Sequence, residues 1–187
     1  MSLLSPMLNQ AAQKEALLIA RQTLAKYLVT GKILLVSPQN IMLQKSLGCF
    51  VTLKNQGQLR GCIGLFEPQE PLFRVIQKMA IAAATKDFRF PPVGAKELKE
   101  IKIEISVMTP KRKINNWREI KLGIQGVVVE KNGRSGTFLP QVATETGWNL
   151  EEFLSQLCTQ KAGLPSDCYK DPTTNLSVFE AQVFQEK

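Results

Sequence analysis

Two hairpin signals constrain this chain more than anything else in it. Val127 to Glu130 and Arg134 to Leu139 flank Asn132-Gly133, the pair a type I′ turn prefers because both central residues need positive φ. Earlier, Gly48 to Leu65 reads as a second hairpin turning at Asn55-Gln56-Gly57. Each hairpin makes its two strands antiparallel, and the intervening helices do not alternate with strands in β-α-β order. The expected class is therefore α+β: an antiparallel sheet with flanking helices. At 187 residues the chain fits one domain or two small interlocked ones.

The helices announce themselves by period. Ala16, Leu17, Ala20, Leu24 and Leu28 form a core-facing stripe between a start at Ser5-Pro6 and a stop at Gly31. Pro71 opens a second helix with Leu72, Val75, Ile76, Met79, Ala80 and Ala83 along one side. Asn149 with Glu152 resembles a capping box for a third, closed by Gly163. Ile101, Ile103, Ile105 and Val107 alternate with polar residues as a half-buried strand, and a last strand runs from about Leu176 to Phe184. Lys111 to Ile120 reads as a loop with Trp117 as its anchor.

Composition removes whole classes of chemistry. The chain has no histidine, which excludes His-liganded zinc, Ser-His-Asp and Cys-His catalysis, and any imidazole relay. No apolar run approaches the ~20 residues of a bilayer span, and no signal peptide is evident, so a cytoplasmic protein is expected. Cys49, Cys62, Cys158 and Cys168 match no zinc template, so no metal or other cofactor is expected. Free thiols are the expectation in a reducing compartment, with Cys158 packed in a helical stripe and Cys168 exposed in a loop. The net charge is +8, and residues 1 to 60 hold seven basic side chains against one acidic. Such a face suits a polyanion, though scattered basic residues also make an ordinary soluble surface.

The first hairpin carries the candidate site. A three-residue loop at Asn55-Gln56-Gly57 pairs Lys54 with Gln58, Thr52 with Arg60, Phe50 with Cys62, and Gly48 with Gly64. Side chains alternate between faces, so Cys49, Val51, Leu53, Leu59 and Ile63 face the core. Phe50, Thr52, Arg60 and Cys62 share the other face. A guanidinium beside Cys62 favours its thiolate, unless the sulfur is sealed in apolar surroundings. Gly61 and Gly64 clear both sides of the thiol, for a ligand or for another backbone. The structural alternative is an edge-strand cysteine filling a small gap, with Gly61 and Gly64 there for bulges. Asp87 and Arg89 flank Phe88 in a segment expected to be extended near Pro91-Pro92; they either face one cleft or form a local ion pair. Glu104, on the polar side of its strand, either pairs with Arg60 or meets solvent.

Leu59-Arg60-Gly61-Cys62-Ile63-Gly64 resembles the hallmark hexapeptide of the AMMECR family, known in prokaryotes as AmmeMemoRadiSam system protein A. The resemblance runs from about Ala16 to Phe184. It includes Gly48 to Leu53, Asp87 to Val93, Ile103 to Val107, Phe138 to Val142, Gly147-Trp148 through Leu154, and Lys161 to Pro165. It implies one domain over residues 12–187, with 1–11 leading into the first helix, built as two interlocked subdomains with the hexapeptide lining a cleft between them. It supplies no established reaction, but implies a pathway shared with a radical-SAM protein and a Memo-type protein. One departure is Gly123-Ile124-Gln125-Gly126, where the family commonly has Gly-x-His-Gly; Gln125 cannot shuttle a proton at neutral pH.

Two readings follow. In the first, Cys62 is a nucleophile or covalent carrier and Arg60 its thiolate stabiliser and anion binder. Thr52, Gly61, Gly64, Asp87, Arg89, Glu104, Gln125, Pro140 and Gln141 then serve binding, and the ligand is an anionic small molecule or a protein segment. In the second, the protein is a scaffold, or a nucleic-acid binder using its basic face, with Arg60 as an anchor and Cys62 merely small.

Overall fold

The computed structural model describes residues 8–187. The Ser5-Pro6 helix start lies outside them; within them, helix α1 (Gln10–Thr30) is capped by the Asn9 side chain, which accepts from the Ala12 amide. Gly31 ends it at φ 68°, the left-handed stop expected there. The chain divides into two compact units. The first runs to Met108 and takes back Gln182–Lys187; the second is Thr109–Ala181.

In the first unit, strands β1 (Cys49–Asn55), β2 (Gln58–Leu65) and β3 (Ile101–Met108) pair antiparallel, with β1 between the others and β2 at the edge. Helix α2 (Leu72–Thr85) packs with α1 on one face of these strands. The alternation that put Val51, Leu53, Ile103 and Ile105 on one side is what these helices cover, and all four are fully buried. The helical stripes are likewise inward: Ala16, Ala20, Leu24, Leu72, Ile76 and Ala80 are inaccessible to water. The C-terminal tail is tied in by charge. Glu186 pairs with Arg21, whose guanidinium also donates to the Leu98 carbonyl at 2.8 Å.

In the second unit, β5 (Gln125–Lys131) and β6 (Arg134–Phe138) form the expected hairpin, with Asn132 at φ 51° and Gly133 at φ 75°. Strand β7 (Asn175–Gln185) lies beside β5 and also pairs with β4 (Arg112–Ile114), a short strand where a loop was expected. Trp117 does anchor that stretch, set edge-on to Tyr169. Helix α4 (Leu150–Gln156) has the capping box read from the sequence and continues as a π-turn over Leu157–Lys161, with Gly163 at φ 62° beyond it. Helix α3 (Pro140–Thr146) was not expected, although Pro140 starts it and Gly147 stops it at φ 70°. The second core gathers Val127, Val129, Phe138, Phe153, Leu154 and Leu157.

The cysteine reading needs correction. Cys158 and Cys168 form a disulfide, and Cys168 is buried, not exposed. The turn at Gly163 brings the loop back under α4, so the two Cα atoms lie 6.3 Å apart, within bridging range. Cys49 and Cys62 are free. The cysteine argument for a reducing compartment therefore falls away. Among the described residues no helix is long and apolar enough to cross a membrane.

Candidate functional site

The hairpin does not close as the sequence suggested. The loop has two residues, Gln56 at φ 50° and Gly57 at φ 80°, and pairs Asn55 with Gln58 and Lys54 with Leu59. The register then shifts, and from Gly61 onward Leu53 faces Gly61, Thr52 faces Cys62 and Phe50 faces Gly64. Arg60 is the extra residue of this bulge, so the strict alternation that was to set it beside Cys62 is broken. Leu59, expected in the core, is 44% exposed.

Arg60 accordingly spends its donors elsewhere. Its Nε and Nη2 reach the two Glu97 carboxylate oxygens at 2.6 and 3.1 Å, and Nη1 reaches the Pro91 carbonyl at 2.8 Å. Glu97, which nothing in the sequence marked, is drawn below the usual carboxylate range chiefly by these bonds from Arg60. Glu104 pairs with Lys54 at 2.8 Å, so the suggested Arg60–Glu104 contact does not form.

The guanidinium that acts on Cys62 is that of Arg89. Asp87 to Phe90 is a tight turn, not an extended segment: the Phe90 amide donates to the Asp87 carbonyl at 3.1 Å. Asp87 and Arg89 are a bidentate ion pair, with Nε to Oδ1 at 2.9 Å and Nη2 to Oδ2 at 2.7 Å. The pair grips the backbone of Cys62 from outside the sheet. Asp87 Oδ2 accepts from the Cys62 amide at 2.8 Å, and Arg89 Nη2 donates to the Cys62 carbonyl at 3.2 Å. Because β2 is an edge strand, these outward groups would otherwise face water or a foreign strand; an acid and a base stand in for the missing neighbour. The Asp87 carboxyl falls to about 2, foremost because Arg89 donates to it.

The sulfur itself sits opposite Thr52, in the kind of cross-strand pair whose side chains approach closely. The Thr52 hydroxyl donates to Sγ at 3.2 Å. Burial pushes the Cys62 thiol above its ordinary value; the Thr52 bond and the Arg89 charge pull it back, while Asp87 and Glu104 oppose them. The net direction is upward, so the resting group at neutral pH is a protonated thiol. Cys49, wholly buried on the other face, is pushed up further by burial alone.

The two glycines serve protein contacts. A Cβ on Gly61 would lie 2.2 Å from the Ala83 carbonyl oxygen, so Gly61 is what lets α2 rest on β2; a Cβ on Gly64 would meet the Phe50 ring at 2.2 Å. Of the purposes weighed for them, approach by another backbone holds at Gly61, which also adjoins the bulge, while Gly64 makes room for the Phe50 ring.

Gln125, Pro140 and Gln141 belong to the second unit. The Gln125 Oε1 accepts from the Lys121 amide at 3.0 Å and closes the turn leading into β5. Pro140 is buried at the first position of α3. Gln141 follows it, with Oε1 buried and without a hydrogen-bond partner among the described residues. No group of three or more His, Cys, Asp or Glu side chains able to hold a metal occurs among the described residues.

The fold and site together define an α+β protein of two units whose strand β2 presents one free, protonated cysteine between locked ion pairs. The AMMECR1 family model matches residues 17–184, and the chain belongs to the AMMECR1 family. A protein of Methanopyrus kandleri is 46% identical over 178 residues, covering 90% of this chain and 86% of the relative. One of Methanothermobacter thermautotrophicus is 48% identical over 145 residues, covering 74% and 75%. The crystal structure of an uncharacterized protein from Pyrococcus horikoshii is similar with a TM-score of 0.88 at 40% identity, over 94% of this chain and 92% of that one.

Proposed function

We propose that this protein is a binding component, not a thiol enzyme, of a pathway shared with a radical-SAM protein and a Memo-type protein. It engages a protein segment at the face that carries Thr52 and Cys62. One observation supports this reading above others: the three cationic side chains nearest Cys62 that the sequence singled out or the fold brings there each already hold a carboxylate. Arg60 is paired with Glu97, Arg89 with Asp87 and Lys54 with Glu104. A small anion would have to displace a bidentate partner to gain Arg60 or Arg89, which makes a protein segment the better ligand. The sulfur is held as a thiol, and no histidine is present to deprotonate it.

Genetic complementation tests the reading. In a host lacking its own copy, Cys62→Ser and Cys62→Ala should both restore the phenotype, because a small side chain suffices. Loss of function in both, with the fold intact by circular dichroism, would return Cys62 to the role of nucleophile.

A further inference from the structure

Phe88 is 96% exposed, the most exposed large apolar side chain among the described residues. Its neighbours are firmly held. Asp87 is fixed to Cys62 and Arg89, and Arg89 in turn to the Cys62 carbonyl. Phe90 lies near the guanidinium groups of both Arg60 and Arg89, at 6.0 and 5.5 Å from the ring centroid. Pro91 accepts from Arg60 at 2.8 Å, and the Val93 amide donates to the Ala84 carbonyl at 2.8 Å. The turn is thus fastened before, within and after Phe88, and from it a benzene ring stands out into water. A rigid turn holding an aromatic ring outward has already met the ordering cost that binding would otherwise impose.

We propose that Phe88 is the anchor of a protein–protein contact, inserting into an apolar pocket rimmed by carboxylates on a different protein. Charge selects the partner. Lys86, exposed beside the turn, has no ion pair among the described residues, and the chain as a whole carries +8. An acidic rim complements them. A second copy of this chain does not. Its apolar hollow of about 350 Å³, walled by Leu17 and Phe184, would hold a ring, but Lys14 and Lys187 line it and its acidic residue, Glu186, already binds Arg21. A single ring without an amphipathic helix is likewise a poor membrane anchor. The proposal is independent of what Cys62 binds.

The test places the photoreactive residue p-benzoylphenylalanine at position 88 of the full chain in its own host, with position 35 as control. Leu35 is also exposed, at 83%. Position 88 should give an adduct to one other protein that position 35 lacks. Calorimetry with that protein, purified, should then show at least a tenfold loss of affinity for Phe88→Ala, the scale of burying one such side chain. The affinity should also fall with salt, less steeply for Lys86→Ser. Adducts no stronger at 88 than at 35, adducts only to lipid or to a second copy, or equal affinity of Phe88→Ala and the parent each overturn the proposal. Because Phe88 touches solvent, the variant should melt with the parent, and loss of binding then reports the contact.

Discussion

Replacing Asp87 by Asn removes one charge and turns one acceptor into a donor at the point where the turn grips β2. The Asp87 side chain is 2% exposed and accepts from the Cys62 amide and from Arg89. An asparagine can keep one of those acceptors, but its NH₂ must then face an N–H of Cys62 or Arg89. The charge contribution follows from linkage: a carboxyl held at about 2 instead of 3.8 corresponds to about 2.5 kcal/mol at neutral pH. Arg89 is 42% exposed, so water screens the pair and a loss of about 1–2 kcal/mol is expected. The sign is fixed by the depressed value. This stability is fully present above pH 3.8 and is lost as pH falls through about 2. Urea unfolding of the parent and Asp87→Asn should therefore differ most near pH 7, and the gap should narrow towards pH 2. Hydrogen exchange at the Cys62 amide should accelerate in the variant even under native conditions. An unchanged urea midpoint at pH 7, or a gap just as wide at pH 2, would refute the edge-clamp argument.

Further outcomes follow from the same geometry. Gly61→Ala should cost at least about 2 kcal/mol in urea unfolding, because its Cβ meets backbone of α2 and no flexible side chain can yield; an effect below ~0.5 kcal/mol would mean the helix is not resting there. Cys158→Ser with Cys168→Ser should lower the stability of the second unit by about 2–3 kcal/mol, the loop-closure value for a separation of 10 residues. A melting curve indifferent to both the substitutions and added reductant would contradict the bridge. Thr52→Val should raise the Cys62 pKa further, since it removes a bond that favours the charged sulfur, and alkylation at a fixed pH should slow.

Much of the fold was legible because it depends on period and caps. The stripes of α1 and α2, the alternation of β3, the Asn132-Gly133 turn and the Asn149 capping box are local signals, and local physics settled them. Helix α3 escaped because seven residues give too little period, although Pro140 and Gly147 marked its ends. The first hairpin escaped because its two-residue turn places Gln56, not an Asn or Gly, at positive φ, and because a bulge leaves no mark in composition. The site was legible in part. Cys62 and Thr52 share a face as read, and the local ion pair of Asp87 with Arg89 was one of two options. The commitment of Arg60 to Glu97 spans 37 positions in sequence, and the disulfide depends on how a loop returns beneath α4; neither had a local signal.

The account turns on the state of one sulfur. Alkylation of Cys62 by iodoacetamide, followed by mass spectrometry across a pH series, reads that state directly, with buried Cys49 as an internal reference. The account predicts an apparent pKa above the free-cysteine value of about 8.5 and slow modification at pH 7. Rapid modification at pH 7, with a midpoint well below 8.5, would contradict it and make the strand between the two ion pairs a seat of thiol chemistry.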